Sequence, residues 1–490
     1  MTPAANRNLN AGPAVNPGTG INSSASEGTA GAGASHRLSV AVIGAGWAGL
    51  AAAITAVQAG HAVTVLEATR SVGGRARTLP QQIPLPLSSS PLPPDTHLTL
   101  PLISQAPSPQ LDNGQHILIG AYTSTLALMR TVGIDTHNAL LRIPLALNFP
   151  DGGGLRLPRW PAPWDVLAGI ATARGWRWAD KWSLLRTAIK WQKNSFICPQ
   201  HQTVAELCGG LTARVIQELI DPLCISALNT PSHQASGQVF LRVLQDALLG
   251  PPGASQLLLP RVDLGQLLPD AAVQWLHQHG AQVRLGQRVQ VIEQLPHPGA
   301  APPAWRLNCG QSDPLVFDRL ILACPPGEAA RLVDTAKLPA KLTAPWLKAA
   351  RGLGFEAITT VYAHSPVRLP QPILALRSSP QAPAQFVLDR DMLCGQRHLL
   401  AFVVSASTGE RDATEQAVLQ QARDQLHLQQ ITPHQTIVEK RATFACTPAM
   451  ARPAAQIAPG LMACGDYVDG PYPATLEAAV RSGTAAALAC

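Results

Sequence analysis

The six residues Gly44-Ala45-Gly46-Trp47-Ala48-Gly49 constrain this chain more than any other stretch of it. Val40, Ala41, Val42 and Ile43 before them read as a buried strand, and residues 50–59 after them as an apolar helix. A turn so placed needs its three glycines for three different reasons. Gly44 permits the tight reversal, Gly46 lets a pyrophosphate reach the backbone, and Gly49 lets helix and strand pack closely. With Ala45, Trp47 and Ala48, the helix start offers unpaired N–H groups and the positive end of its dipole to phosphates. Gly60 stops the helix, and residues 62–66 read as a second strand. Glu67, 23 positions after Gly44, stands where an acid holds a ribose hydroxyl. A glycine-rich turn alone would mean little; the ordered strand, turn, helix, strand and acid predict a dinucleotide site on a Rossmann-type domain.

Beyond Glu67 and Ala68 comes Gly73-Gly74-Arg75-Ala76-Arg77. Gly73 and Gly74 allow close backbone approach, and Arg75 brings fixed charge and several donors. Here the chain resembles the FAD-containing amine oxidase and phytoene desaturase superfamily, in which such a segment runs along the FAD pyrophosphate and ribityl chain. The resemblance implies FAD. It also implies an α/β fold, with a glutathione-reductase-like Rossmann FAD-binding domain interleaved with a mixed α+β substrate domain.

A chain of 490 residues is too long for one ordinary core, so two lobes are expected. Residues 1–36 carry no hydrophobic period and are expected to be disordered. The FAD-binding lobe is assigned to residues 37–79, 111–145, 267–330 and 446–490. A Pro-rich insert occupies 80–110, a mostly helical substrate or membrane-facing domain 146–266, and a substrate-lobe sheet with a helix 331–445. No run of 18 apolar residues predicts a spanning helix. The start of the chain has no basic-then-apolar leader. Nine cysteines without C-x-x-C spacing point to reduced thiols in the cytoplasm and to no metal site. The net charge of +7 suits anionic surfaces or plain solubility, and no nucleic-acid motif accompanies it.

Asp112-Asn113-Gly114-Gln115-His116 follows the insert, leading through Ile117-Leu118-Ile119-Gly120-Ala121-Tyr122 into a helical run to Thr131. This string resembles the hydroxysqualene dehydroxylases, also called squalene-associated FAD-dependent desaturases. So do Leu147 to Asp151 with Leu155 to Pro158, and Asp221-Pro222-Leu223-Cys224 through Ala227 to Pro231. Residues 161–250 read as helices rich in tryptophan (Trp160, Trp164, Trp176, Trp178, Trp182, Trp191) and in cations such as Lys181, Arg186 and Lys190. Two readings stand: helices packed on each other with snorkelling cations, or a face lying in a membrane interface. A helix is expected over 267–279, strands over 282–285 and 317–326, strands near 358–362 and 399–404, and a helix over 413–426.

The superfamily places a backbone contact to adenine at Val289. Near the end of the chain, Gly465-Asp466 closes a strand, and a helix is expected from Pro473 to Gly483, with Pro473 at its first position and Glu477 and Arg481 as an i,i+4 pair. By resemblance, Asn113 and Gly114 lie against the flavin and Asp466 binds the ribityl hydroxyls. The helix start at Thr475 and Leu476 points at the flavin N1 edge, where a reduced flavin is anionic.

The resemblance to this family implies reductive removal of the hydroxyl of hydroxysqualene, giving squalene for hopanoid biosynthesis. A hydrophobic isoprenoid is then the substrate; peripheral contact with the inner face of the cytoplasmic membrane, and with the synthases that make the substrate, would follow. Such chemistry needs a proton for the departing oxygen, and His116, Asp112 and Asp221 are the candidate donors. Three alternatives stay open: a carotenoid-type desaturase, an amine oxidase, and a non-catalytic FAD-bound prenyl-lipid binding protein. The second would want an aromatic pair at the flavin, for which Tyr467 and Tyr472 are the candidates among 4 tyrosines.

Overall fold

Strand Ser39–Ile43 sends its side chains alternately to two faces, and each face finds a different cover. Val40 and Val42 join the core under helix Trp47–Gln58, whereas Ala41 and Ile43 join the core that contains Trp305, Leu307 and Phe317. Its neighbours Ala62–Glu67 and Arg319–Leu322 alternate the same way, with Val63, Val65 and Ile321 on the helix side and Leu66, Leu320 and Leu322 on the other. In this computed structural model, which describes residues 37–80, 110–160, 163–296, 303–310 and 313–490, these strands form the middle of a six-stranded sheet. Its order is Gln456–Ala458, Leu461–Ala463, Arg319–Leu322, Ser39–Ile43, Ala62–Glu67, Gln282–Leu285. All pairs are parallel except the hairpin at the Gln456–Ala458 edge. The chain order reverses beside Ser39–Ile43, so the crevice at the carboxyl ends of the strands lies at a topological switch point.

Helix Leu476–Leu488 lies against Trp47–Gln58 at Gly483, where an added Cβ would come within 2.1 Å of the Ala48 carbonyl oxygen. A meander of Val291–Leu295, Ala304–Asn308 and Leu315–Phe317 covers the opposite face of the sheet. A second sheet is antiparallel and has the order Ile373–Ala375, Phe386–Asp389, Leu399–Ser405, Phe355–His364, Thr432–Phe444. One of its faces packs Val361, Ala363, Phe402 and Val404 on Val418, Leu419 and Ala422 of helix Arg411–Leu426. Helices Trp164–Thr172, Trp178–Lys193 and Gly237–Leu248 build most of the section between the lobes. A continuous helix from Ala213 to Leu228 joins them, with a π-helical segment Ile216–Ile220 inside it.

Several elements differ from expectation. The first helix begins at Trp47, so Gly49 lies within it. The strand expected over 317–326 is two: Leu315–Phe317 in the meander and Arg319–Leu322 in the parallel sheet. Between them the Asp318 carboxylate accepts from the Ser39 N–H and hydroxyl. Helix Leu476–Leu488 starts three residues after Pro473, because the Thr475 hydroxyl accepts from the Ala478 N–H at 3.1 Å and fixes the start there. Strand Leu257–Pro260 already returns from the helical section, pairing with Leu118–Ile119 and Leu140–Ile143. The segment 1–36 and all of the Pro-rich insert between residues 80 and 110 lie outside the described residues. The insert's flanks meet: Thr78 pairs with Asp112, and the Leu79 N–H donates to the Leu111 carbonyl.

Candidate active site

The crevice above Ser39–Ile43 deepens into a cavity of about 840 Å³ between the two sheets. Its floor is backbone. The Gly73 N–H donates to the Ala45 carbonyl at 2.8 Å, binding the second glycine turn to the first. A Cβ on Gly74 would stand a tight 3.2 Å from the Gly46 Cα, and φ of +97° at Gly73 and +61° at Gly74 favours glycine at both. Helix Trp47–Gln58 carries neither a side-chain cap nor an acid in its first turn, and Gly46, Trp47 and Ala48 line the cavity. Its leading N–H groups therefore face the cavity unopposed.

All the cofactor residues expected from sequence line this cavity except Ala45 and Gly49. Those two act behind the lining. The Ala45 N–H donates to Glu67 at 2.8 Å, and a Cβ on Gly49 would stand 2.0 Å from the Gly44 carbonyl oxygen. Glu67 also accepts from the Thr69 N–H and hydroxyl at 2.8 Å, which fixes the carboxylate at the lip. Arg75 donates to Asp466 at 2.5 Å and to the Ala442 carbonyl at 2.7 Å, so one guanidinium ties the glycine wall to strand Thr432–Phe444. At Gly465, φ is +153° and a Cβ would meet the Tyr467 ring at 2.6 Å. Buried side-chain atoms of Arg77, His116, Gln287 and Tyr467, four lining residues, have no hydrogen-bond partner among the described residues.

The three expected proton donors separate. His116 lines the cavity, where burial first, and then the Arg75 charge, pushes its imidazole down to about 4. It is neutral at physiological pH, which suits it to hydrogen bonding and not to storing a proton. Asp112 does not line the cavity. Its carboxylate is spent on Arg390 at 3.2 Å, the Leu264 N–H at 2.9 Å and the Thr78 hydroxyl at 3.1 Å, and burial pushes it up to about 6 despite Arg390. Asp221 is also absent from the lining. It continues the π-segment into helix Asp221–Leu228, close to the Cys208 and Cys224 thiols, and its buried Oδ1 has no hydrogen-bond partner among the described residues. Of the three, His116 alone lines the cavity.

Sequence reasoning passed over Glu439. It lines the cavity from the antiparallel sheet and accepts from Asn113 Nδ2 at 3.0 Å. Of the other lining carboxylates, Asp466 pairs with Arg75, Glu328 pairs with Arg331, and Glu67 is bonded to backbone N–H groups. Glu439 sits within Glu-Lys-Arg on an alternating strand, a pattern that reads as a solvated face. Glu477 was expected only to pair with Arg481, which it does at 2.7 Å. It also accepts from the Ser124 and Thr125 N–H groups, so it caps helix Thr123–Thr131 from another element. Tyr467 lines the cavity but Tyr472 does not: its ring lies against the Arg242 and Arg481 guanidiniums, and the second tyrosine in the lining is Tyr122.

The family model for flavin containing amine oxidoreductases matches residues 47–490. Hydroxysqualene dehydroxylase of Zymomonas mobilis is 25% identical over 465 residues, spanning 91% of this chain and 97% of its own. The protein of that name from Sinorhizobium fredii is 27% identical over 479 residues, with the same shares. Cyclohexylamine oxidase from Brevibacterium oxydans superposes with a TM-score of 0.58 over 92% of this chain and 98% of that one, at 17% identity, a likeness of fold alone. The α/β sheet with its glycine crevice and the matched family model agree: the chain belongs to the flavin containing amine oxidoreductase family and is an FAD-dependent oxidoreductase.

Proposed function

We propose that this oxidoreductase removes the hydroxyl of hydroxysqualene to give squalene. The likeness over 91% of the chain to proteins named hydroxysqualene dehydroxylase carries this reading. The cavity's residues fit FAD. Gly46, Trp47 and Ala48 would meet the pyrophosphate with their N–H groups, and Glu67 would accept from a ribose hydroxyl. Val289 would stand by the adenine, and Arg75 with Gly73 and Gly74 would run along the middle of the cofactor. Asp466 would reach the ribityl chain, with Asn113, Gly114, Gly465, Thr475 and Leu476 around the ring. The start of helix Leu476–Leu488 brings its positive dipole end to the cavity, where it would offset negative charge on the ring.

Bound in this cavity and reduced, FAD would supply the hydride that replaces the hydroxyl. The C–O bond breaks, a C–H bond forms, and the oxygen leaves as water once protonated. Glu439 lines the cavity beside the residues expected at the ring and is held by Asn113 and the Arg441 N–H, and we assign to it the passing of a proton to that oxygen. Neutral His116, with Nδ1 unpaired, accepts from the substrate hydroxyl and orients it. Ile117, Ala227 and Ile358 line the same space and keep water from an allylic cation. The test is to incubate FAD-loaded, dithionite-reduced protein with hydroxysqualene without oxygen and to identify the product by mass. Squalene is expected; unchanged alcohol overturns the reading.

A further inference from the structure

Helix Trp178–Lys193 has two apolar faces, and the protein covers only one of them. Asp180, Leu184, Thr187 and Trp191 are buried on the inner face. Trp178, Trp182, Leu185 and Ile189 recur at helical spacing on the opposite side, and of these Trp178 is 82% exposed and Trp182 65%. The neighbouring helix Trp164–Thr172 repeats the arrangement: Trp164, Leu167 and Ala171 share its outward face. Lys181 joins the two stripes, because its Nζ donates to the Ala171 carbonyl at 2.6 Å and lies 5.4 Å from the centre of the Trp178 ring. Exposed Trp160 stands just before the first of these helices, and exposed Ile197 just after the second.

Charge identifies what covers this face. Arg174, Arg177, Arg186, Lys190 and Lys193 are exposed around the stripes, while the segment's two carboxylates, Asp165 and Asp180, are both buried. A second copy of the chain would set these cations against one another, which disfavours self-association. Indole rings beside cations with no exposed carboxylate match the headgroup level of an anionic bilayer, where the rings bury their apolar edges and the cations meet lipid phosphates. No helix among the described residues is long and apolar enough to cross a membrane, so the contact is peripheral. We infer that the outward faces of Trp164–Thr172 and Trp178–Lys193 seat this protein on an anionic lipid surface. The same helical section supplies Ser226, Ala227 and Asn229 to the cavity lining, so the docking face and the active site share one scaffold.

The test sediments the full-length, FAD-loaded protein with two kinds of vesicle: phosphatidylcholine alone, and equal parts phosphatidylcholine and phosphatidylglycerol. Binding to the anionic vesicles and release at about 0.5 M salt are expected. Changing Arg186→Glu, Lys190→Glu and Lys193→Glu together lowers the partition about tenfold or more. Trp178→Ser with Trp182→Ser lowers it even at low salt. All five side chains are exposed, so FAD content and melting temperature should stay at the wild-type values, separating lost docking from lost fold. Equal partitioning of wild type and both variants overturns the inference, as does equal wild-type binding to the two vesicle types. A wild-type dimer that the tryptophan changes dissociate, without vesicle binding, overturns it too and assigns the face to a second copy.

Discussion

The two walls of the cavity are made of different material. On the parallel-sheet side glycine turns and helix starts bring backbone to the surface, drawn together by hydrogen bonds such as that from Gly73 to Ala45, with Glu67, Arg75 and Asp466 set among them. On the antiparallel-sheet side it is side chains, Ile358, Ser405, Glu439 and Thr443, carried by strands whose positions depend on distant partners. Each glycine turn and helix start of the first wall is specified by its own neighbours, because these are local properties, although the pieces come from both ends of the chain. A side-chain wall is specified across the whole chain: Glu439 meets Asn113 across 326 positions. On this account the first wall loads the cofactor and the second handles substrate, and changes to each should separate cleanly.

The sharpest separation is expected at the glycines. A Cβ on Gly46 finds nothing nearer than the Gly74 Cα at 3.9 Å, so Gly46→Val should fold with a near-native melting temperature and lose FAD almost completely. Three residues on, Gly49→Ala puts a methyl 2.0 Å from the Gly44 carbonyl and should cost about 1–3 kcal/mol of stability or more. Cofactor content and thermal unfolding, measured together, check both. If Gly46→Val retains FAD, the cofactor does not lie along this turn.

On the other wall, Glu439→Gln should slow dehydroxylation by about 10²–10⁴ while FAD content stays at the wild-type level. Asp112→Asn should change the rate by no more than a few fold, because that carboxylate is turned to Arg390 and away from the cavity. Single-turnover rates would distinguish them. The reverse ranking would return the proton to Asp112 and break the assignment of the wall.

The smallest effects are in pH dependence, and they have opposite signs. Asp112, pushed up to about 6 by burial, keeps its proton where the unfolded chain has lost it, so its contribution to stability falls as pH rises from about 4 to about 6. His116, pushed down to about 4, stays neutral where the unfolded chain is charged, so its contribution grows as pH rises from about 4 to about 6.5. Relative to wild type, Asp112→Asn should gain stability with rising pH and His116→Gln should lose it. Urea unfolding at several pH values in that window measures both slopes.

What the sequence made legible follows the same division. The strand, turn, helix, strand and acid from Val40 to Glu67 could be placed almost residue by residue, since each depends on neighbours within a turn or two. Asp112 was singled out within a family string, yet its partner Arg390 lies 278 positions away, and only folding shows the carboxylate turned from the cavity. Asp221 was singled out within a second family string, and nothing local to it shows the π-segment that carries the helix through to Pro222 and beyond. Pro473 read as a first helical residue, and the Thr475 hydroxyl, two positions later, set the start instead. Glu439 gave no local sign, since a carboxylate between charged neighbours on an alternating strand looks the same whether it faces water or a cavity.

The central claim is that this enzyme gives electrons to its substrate. Adding hydroxysqualene to the anaerobic, fully reduced protein and following the flavin spectrum tests it most directly. The account predicts return of the oxidised flavin absorbance in step with squalene formation, one flavin for each squalene. If hydroxysqualene leaves the reduced flavin unchanged while squalene bleaches the oxidised form, the protein withdraws electrons as a desaturase does, and the account is contradicted.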